Sequence, residues 1–264
     1  MIDTASAGDS RRRERSVVVG GVRVTNPDRV FYPEVDVTKL DLARYYASVA
    51  QRMLPYVARR PLTLVRCPEG STGACFFQKH AGDGLPAPVL RVPIDEEEGT
   101  GIYMAIESTA GLLSLVQMDV LEFHVWGSRI ETLERPDRLV FDLDPDPALP
   151  FARASAEAIA RASPDRFTAS ASFTKRTGKI YIDYLRNARG ATHVATFSTR
   201  RHPRAPVSMP LRWNELRPQL RADRYTVQNV RRRLAALNSD PWQDFDLACQ
   251  AITDAMLPAP FRSA

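Results

Sequence analysis

The chain has 264 residues, 44% of them hydrophobic and 25% charged, with a formal net charge of +5. This length can bury one large domain or two small ones, and the composition is typical of soluble proteins. No apolar run is long enough to cross a membrane and no signal peptide opens the sequence, which predicts a cytoplasmic protein. Arginine far outnumbers lysine. Because the guanidinium group recognises phosphates, a nucleic-acid or nucleotide partner is modestly favoured.

The cysteines and histidines do not form a metal-binding pattern. Cys67, Cys75 and Cys249 lack the CxxC or Cys/His spacing of zinc sites, and the four histidines are scattered. An odd number of cysteines without such a pattern predicts reduced thiols in the cytoplasm.

The N-terminal third predicts a short arm followed by β-structure and one long helix. Residues 1–16 are polar, arginine-rich and aperiodic, which indicates a disordered basic arm. Residues 17–24 predict a β-hairpin that turns on two glycines. Thr38 is a suitable N-cap for a helix over residues 39–57, where apolar residues recur at helical spacing.

The middle of the chain predicts a sheet with exposed aromatic residues. Strands are expected at 61–66, 76–80, 89–94, 102–106 and 121–126, with a helix over 109–118. Phe76 and Phe77 are adjacent on a strand and face opposite ways, so at least one lies outside the core. It either stacks on a nucleic-acid base or fills a crevice. His124 shares a strand face with Glu122, although a single histidine is more often structural than catalytic.

Residues 139–147 form an apolar run that ends in carboxylates and prolines, which predicts a buried strand followed by a tight turn. Asp142 and Asp144 then project from one face of the strand. Two adjacent carboxylates are readily stabilised by a divalent cation, and oxygen ligands suit Mg²⁺ or Mn²⁺. The alternative is a solvated Asp-Pro turn.

Further chemistry is expected in the second half of the chain. Residues 179–185 alternate as a strand that carries Asp183, and Arg186 follows it. Asp183 is either a third metal ligand beside a phosphate site or a salt-bridged structural residue. The other elements expected here are a helix over 151–162, strands over 167–173 and 191–199, and helices over 213–220, 227–237 and 242–256.

Collinear motifs cover nearly everything from Gly21 to Met256. They are Gly21–Val24 with Asn26-Pro27, Thr38–Leu40, Phe76–His80, Gln117-Met118, Glu122–Trp126, Glu134–Arg138, Asp142–Pro145, Gly178–Asn187, Arg189–Ala191 and Pro206–Ser208. On these motifs the sequence resembles the polymerase domain of bacterial DNA ligase D, a member of the archaeo-eukaryotic primase superfamily. The resemblance implies an α/β (α+β) fold with a primase-like catalytic sheet and flanking helices. It implies one domain over residues 17–262, with a β-containing part to residue 110 and the catalytic core beyond.

The resemblance also implies a function and its residues. The function is template-dependent addition of nucleotides, often ribonucleotides, to DNA ends in bacterial end joining, with Mn²⁺ or Mg²⁺. Metal ligands would be Asp142, Asp144 and Asp183, with His124 as a further active-site residue. Arg186 and Arg200 would contact the incoming triphosphate. Lys39 would hold the 5′-phosphate of the downstream strand, and Phe76, Phe77 and Lys79 would contact DNA at the gap. Ku and a separate ATP-dependent ligase are the expected partners, since no ligase domain fits in this length.

One family block is missing. The family follows the Asp142–Asp144 strand with a helix, a strand and a Ser-Gly-Gly-Lys-Gly-x-His motif that holds the nucleotide phosphates. Here residues 144–150 run directly into a helix that resembles the one after that motif, and ~50 residues, about one helix-strand unit, are absent. Each lost donor of this kind commonly costs about 10²–10³ in rate.

Three functional hypotheses therefore remain open. The first is a polymerase with impaired activity. The second is a non-catalytic module that binds DNA ends through the 5′-phosphate. The third is a poorly folded remnant.

Overall fold

A six-stranded antiparallel sheet organises the structure, a computed structural model that describes residues 15–138, 140, 150–217 and 219–248. The strands are β1 (Ser16–Val19), β2 (Val22–Thr25), β3 (Val30–Tyr32), β4 (Val37–Thr38), β5 (Leu62–Arg66), β6 (Phe76–Gln78), β7 (Leu90–Glu96), β8 (Gly99–Ala105), β9 (Val120–Trp126), β10 (Phe167–Thr168), β11 (Ile180–Tyr181) and β12 (Thr192–Val194). The helices are α1 (Lys39–Val57), α2 (Thr109–Gln117), α3 (Pro150–Ala162), α4 (Phe173–Arg176) and α5 (Val230–Ala235). The central order is β12-β9-β5-β8-β7, and β6 also pairs with β5. This mixed helix-and-sheet architecture confirms the predicted fold class.

Helix α1 begins where the sequence predicted. The Thr38 hydroxyl accepts a hydrogen bond from the Asp41 amide at 3.2 Å, and the Asp41 carboxylate accepts one from the Thr38 amide at 3.0 Å. This reciprocal capping box satisfies two amides that the first helical turn leaves unpaired. The cap therefore fixes the position of Lys39, the first helical residue.

The core lies between α1, α2 and one face of the sheet. Tyr46 and Phe123 are fully buried and their rings meet edge to face at 5.1 Å. The Tyr46 hydroxyl donates to the Leu121 carbonyl at 3.2 Å, which pairs its polar atom. Burial of one such large apolar side chain contributes about 1.5–3 kcal/mol, so this face holds β9 rigidly. The opposite face of β9 carries Glu122 and His124.

The predicted hairpin, the long helix and the sheet strands are confirmed to within a few residues, but the second half of the chain is more irregular. Residues 179–185 do not form the one alternating strand that was predicted: Ile180 and Tyr181 pair with β10, Asp183 lies in a one-residue β-bridge, and residues 181–184 are all buried. The strand predicted over 167–173 stops at Thr168 before α4, and β12 is three residues long. Among the predicted C-terminal helices only α5 forms in the described part, and residues 213–215 and 245–247 are 3-10 turns. These segments are placed by tertiary contacts rather than by their own periodicity.

The cysteine prediction requires a correction. Cys67 and Cys75 form a disulfide, with Cα atoms 4.3 Å apart, whereas reduced thiols were expected. Cys67 follows β5 and Cys75 precedes β6, so the antiparallel pairing of these two strands brings the residues together. Spacing alone did not reveal this, because the pairing decides the distance.

Several predictions fall on residues outside the described part of the chain. They include Asp142 and Asp144, and also the proposed basic arm except for its last two residues, of which Ser16 already begins β1. Among the described helices, none is both long and apolar enough to cross a bilayer.

Candidate functional site

The face of β9 opposite the main core carries the centre of the candidate site. His124 Nε2 lies 2.9 Å from Glu122 Oε2, as expected for two residues that alternate on one strand face. Both side chains are largely buried, at 16% and 9% exposure. Burial alone would raise the pKa of the Glu122 carboxyl. Hydrogen bonds from His124 and the Arg201 amide, with the nearby charge of Arg200, instead lower it. Glu122 is therefore held as an anion.

A rigid loop brings two arginines to this carboxylate. Arg200 Nε lies 3.3 Å from Glu122 Oε2, and the Arg201 amide donates to Glu122 Oε1. The preceding Ser198 hydroxyl accepts from the Phe123 amide at 2.9 Å, which ties the loop to β9. The Arg200 side chain is 48% exposed, so its guanidinium faces solvent while its backbone is fixed. This arrangement presents a cation in the manner required to bind an anionic ligand.

The two adjacent phenylalanines lie in β6, with Phe77 on the His124 side. In β6, Phe77 opposes Val65, which opposes Glu122 on β9, and the Phe77 and His124 rings are 6.3 Å apart. Phe77 is 72% exposed and Phe76 is 47% exposed, so both lie outside the core. The Arg66 guanidinium lies 5.4 Å from the centre of the Phe76 ring. Exposed rings beside cations are suited to stacking on nucleic-acid bases.

Asp183 and Arg186 form a second cluster. The Asp183 side chain has no exposed surface, and Arg186 Nε lies 3.4 Å from its Oδ2. Arg186 is 33% exposed and lines a cleft of about 220 Å³ together with Trp126 and Arg189. The structure therefore brings together the predicted third metal ligand and one predicted phosphate contact.

Asn187 connects this cluster to the segment that leads to Asp142. Its side chain accepts from the Val140 amide at 2.7 Å and donates to the Val140 carbonyl at 2.6 Å. It also donates to the Tyr184 carbonyl at 2.9 Å. Val140 stands two residues before Asp142 in the sequence. Asn187 was not predicted as a site residue, and its position after Asp183 and Arg186 was the only available signal.

A partly buried histidine, His193, lies within electrostatic reach of both clusters. Burial, together with the charges of Arg138, Arg60, His124 and Arg186, lowers the pKa of His193 to about 4. The imidazole is therefore neutral near pH 7. No sequence pattern singled out His193, which lies in the short edge strand β12 beside β9.

Lys39 lies in a buried ion pair at the start of α1. Its side chain is 2% exposed, and Nζ lies 2.6 Å from both Asp119 Oδ1 and the Gln117 carbonyl. Arg29 Nη1 binds the other carboxylate oxygen of Asp119 at 3.0 Å. The Arg66 guanidinium is also within electrostatic range of the Asp119 carboxylate. Arg66 places this cationic cluster near Phe76, although the Lys39 side chain itself is buried.

Lys79 points away from these clusters. Its Nζ lies 2.5 Å from Glu96 Oε1, and hydrogen bonds from Lys79 and Tyr103 lower the pKa of Glu96 to about 2. The Lys79 ammonium also lies 5.2 Å from the centre of the Tyr103 ring. A DNA contact by Lys79 remains a prediction.

Of the three predicted metal ligands, Asp183 lies in the described part of the chain, whereas Asp142 and Asp144 lie outside it. Within those residues no group of three histidine, cysteine or acidic side chains is arranged to hold an ion. The Asp183 carboxylate is nonetheless fully buried. A buried carboxylate requires positive charge nearby, and its oxygen donors suit Mg²⁺ or Mn²⁺. Arg186 supplies such a charge 3.4 Å away, which is the salt-bridged alternative, and the role of Asp183 as a metal ligand together with Asp142 and Asp144 stays a prediction.

Comparison with known proteins decides the family. The sequence model described as the LigD primase-polymerase domain matches residues 38–155 and 149–242. The chain belongs to this family. It is 34% identical to the multifunctional non-homologous end joining protein LigD of Pseudomonas aeruginosa, over 96% of this chain and 35% of that protein. It is 29% identical to the Mycolicibacterium smegmatis LigD, over 77% of this chain and 34% of that protein.

A solved structure shares the fold. The polymerase domain of Mycobacterium tuberculosis ligase D, in complex with DNA, superposes with a TM-score of 0.77 and 26% identity, covering 87% of this chain and 99% of that one. The chain spans about a third of the length of the curated LigD proteins it matches. The comparisons therefore relate this chain to the polymerase region of LigD.

Proposed function

We propose that this chain acts at DNA ends as a metal-dependent nucleotidyltransferase that extends a primer on a template strand during bacterial non-homologous end joining. The observation that carries this proposal is the site on β9, where His124 and Glu122 lie beside Arg200 and Phe77. The DNA-bound relative with the same fold supports DNA as the partner. We extend the proposal to ribonucleoside triphosphates as substrates, with Ku and a separate ATP-dependent ligase as partners.

The residues divide the work by their chemistry. Arg200 and Arg186, both partly exposed, would bind the triphosphate through charge-assisted hydrogen bonds. Glu122 holds His124 and the Arg200 loop in place. Phe76 and Phe77 would stack on DNA at the gap, and Lys39 with Arg29 would hold the 5′-phosphate. A bound Mn²⁺ or Mg²⁺ supplies activation of the 3′-hydroxyl and neutralisation of phosphate charge, and Asp183, Asp142 and Asp144 would hold it.

The activity is proposed to be impaired. No Ser-Gly-Gly-Lys stretch occurs in the 264 residues, so the donors that hold the nucleotide phosphates in the family are missing. The alignment with the P. aeruginosa protein extends over 302 residues, more than this chain contains, which supports a missing block. The same observation favours a second candidate function, a DNA-end binding module that no longer transfers nucleotides.

One experiment separates these functions. A gapped duplex with a 5′-phosphate is incubated with the protein, Mn²⁺ and ribonucleotides, and primer extension is measured beside DNA binding by fluorescence anisotropy. Extension that Asp183→Ala and Asp142→Ala abolish establishes the polymerase. Salt-dependent binding without extension establishes the end-binding module. Absence of both, with a non-cooperative thermal transition, would indicate the poorly folded remnant and refute the proposal.

A further inference from the structure

The cationic cluster at the start of α1 holds a carboxylate of the protein itself. Asp119 uses one oxygen for Lys39 at 2.6 Å and the other for Arg29 at 3.0 Å. The Asp119 side chain is 15% exposed and that of Arg29 is 34% exposed, so solvent reaches this pair although Lys39 is buried. Asp119 thus occupies the position at which an external anion would meet both cations.

The charges of the cluster favour a doubly charged anion. Among the described residues, Arg29 and Lys39 bind the Asp119 carboxylate directly, Arg66 lies within its electrostatic range, and Lys39 stands at the positive end of the α1 dipole. A terminal phosphate carries nearly two negative charges at neutral pH and offers three acceptor oxygens, whereas a carboxylate offers one charge and two oxygens. The phosphate is therefore the better ligand for the same cations.

The backbone of Asp119 is held by a hydrogen bond that does not involve its side chain. Asp119 has φ 66°, in the left-handed region that residues other than glycine rarely adopt. It stands between the end of α2 and the start of β9, where its carbonyl accepts from the Cys67 amide at 2.9 Å. Its side chain can rotate away without breaking that backbone bond.

We propose that Asp119 sets the affinity for the 5′-phosphate by acting as an internal competitor, which holds Lys39 and Arg29 in the free protein and is displaced when a DNA end binds. This inference rests on the proposed binding of 5′-phosphate at Lys39. It makes Asp119 a specificity-determining residue rather than a simple structural counter-ion. A structural counter-ion would organise the two cations for the phosphate, and its loss would weaken the recognition.

The test compares binding of gapped duplexes that carry either a 5′-phosphate or a 5′-hydroxyl, by fluorescence anisotropy at fixed salt. Asp119→Asn removes the charge while keeping the size of the side chain. We expect it to raise the preference for the 5′-phosphate at least about fivefold. Asp119→Gly, which suits the positive φ, should do the same if the asparagine variant folds poorly. Asp223→Asn is the matched control, since Asp223 is also 15% exposed and pairs with two arginines.

The outcomes separate this inference from the proposed function. One outcome is that the wild-type protein prefers the 5′-phosphate while both Asp119 variants show the same preference or a smaller one. In that case Asp119 is not a competitor, but recognition of the 5′-phosphate still stands. If only the variants show a preference, the competitor role is supported. If neither protein distinguishes the two ends, 5′-phosphate recognition at Lys39 is wrong and this inference falls with it.

Discussion

Asn187 and Val140 are joined by two hydrogen bonds, in which the Val140 amide donates to the Asn187 side chain and that side chain donates to the Val140 carbonyl. These two hydrogen bonds have the pattern of one residue pair in a β-sheet, except that the Asn187 side-chain amide replaces one of the two backbones. They tie the start of the Asp142 segment to the turn that follows Asp183. Residues far apart in sequence are thereby connected beside the proposed metal ligands.

Replacement of Asn187 by alanine should weaken Mn²⁺ binding and lower the stability of the protein. The variant loses three hydrogen bonds of a residue that is 8% exposed, so the free energy of unfolding should fall by about 1–3 kcal/mol. The Mn²⁺ concentration for half-maximal extension should rise, or Mn²⁺ binding seen by electron paramagnetic resonance should weaken. Asn229→Ala is the control, because Asn229 also bridges a loop by two hydrogen bonds. Equal Mn²⁺ affinity in both variants would contradict a positioning role for Asn187.

Replacement of Glu122 by glutamine should disturb both His124 and the arginine loop. The carboxylate is largely buried and meets His124, Arg200 and the Arg201 amide, so loss of its charge should cost about 1–3 kcal/mol of unfolding free energy. Extension or DNA binding should fall as well. Urea unfolding of Glu122→Gln beside Arg200→Ala checks this, since the half-exposed Arg200 should contribute much less stability. Equal stability losses would show that Glu122 is not the organising residue.

Removal of the Phe77 ring should affect DNA binding alone. Phe77 is 72% exposed, so Phe77→Ala should leave the thermal midpoint nearly unchanged while weakening binding of a gapped duplex by about 1–3 kcal/mol. Phe173→Ala removes an equally exposed ring, at 81% exposure, and serves as the control. Binding that falls equally in both variants would point to general surface hydrophobicity rather than stacking at the gap.

The pH dependence of stability should reveal His193. Its folded-state pKa is about 4, against 6.5 for a free histidine, so its contribution is complete above pH 6.5 and is lost as the pH falls toward 4. Between pH 7.5 and pH 5 this loss should be about 1–2 kcal/mol in urea unfolding. The depressed pKa of Glu122 confines its own loss to more acidic solution.

The variant His193→Gln should flatten the stability profile over that range. His202→Gln is the control, because His202 is exposed. An unchanged slope in His193→Gln, with a flattened one in His202→Gln, would contradict the assignment.

Local sequence signals determined the N-terminal half of the fold. The Thr38 cap, the glycine hairpin and the alternation of β9 act over a few residues, so each could be predicted without knowledge of the rest. The same alternation placed Glu122 beside His124. The family motifs identified the LigD relationship, which the comparisons confirm.

Tertiary structure alone decided the rest. Residues 181–184 are all buried, so the alternation of their sequence did not correspond to one buried and one exposed face. Long-range contacts created the Asn187–Val140 bridge, the Cys67–Cys75 disulfide and the cluster in which Asp119 holds Lys39 and Arg29. The sequence suggested that Lys39 binds phosphate, but only the fold shows that a carboxylate 80 residues away already holds its ammonium group. Periodicity and capping are local, whereas burial and charge pairing depend on which distant segments meet.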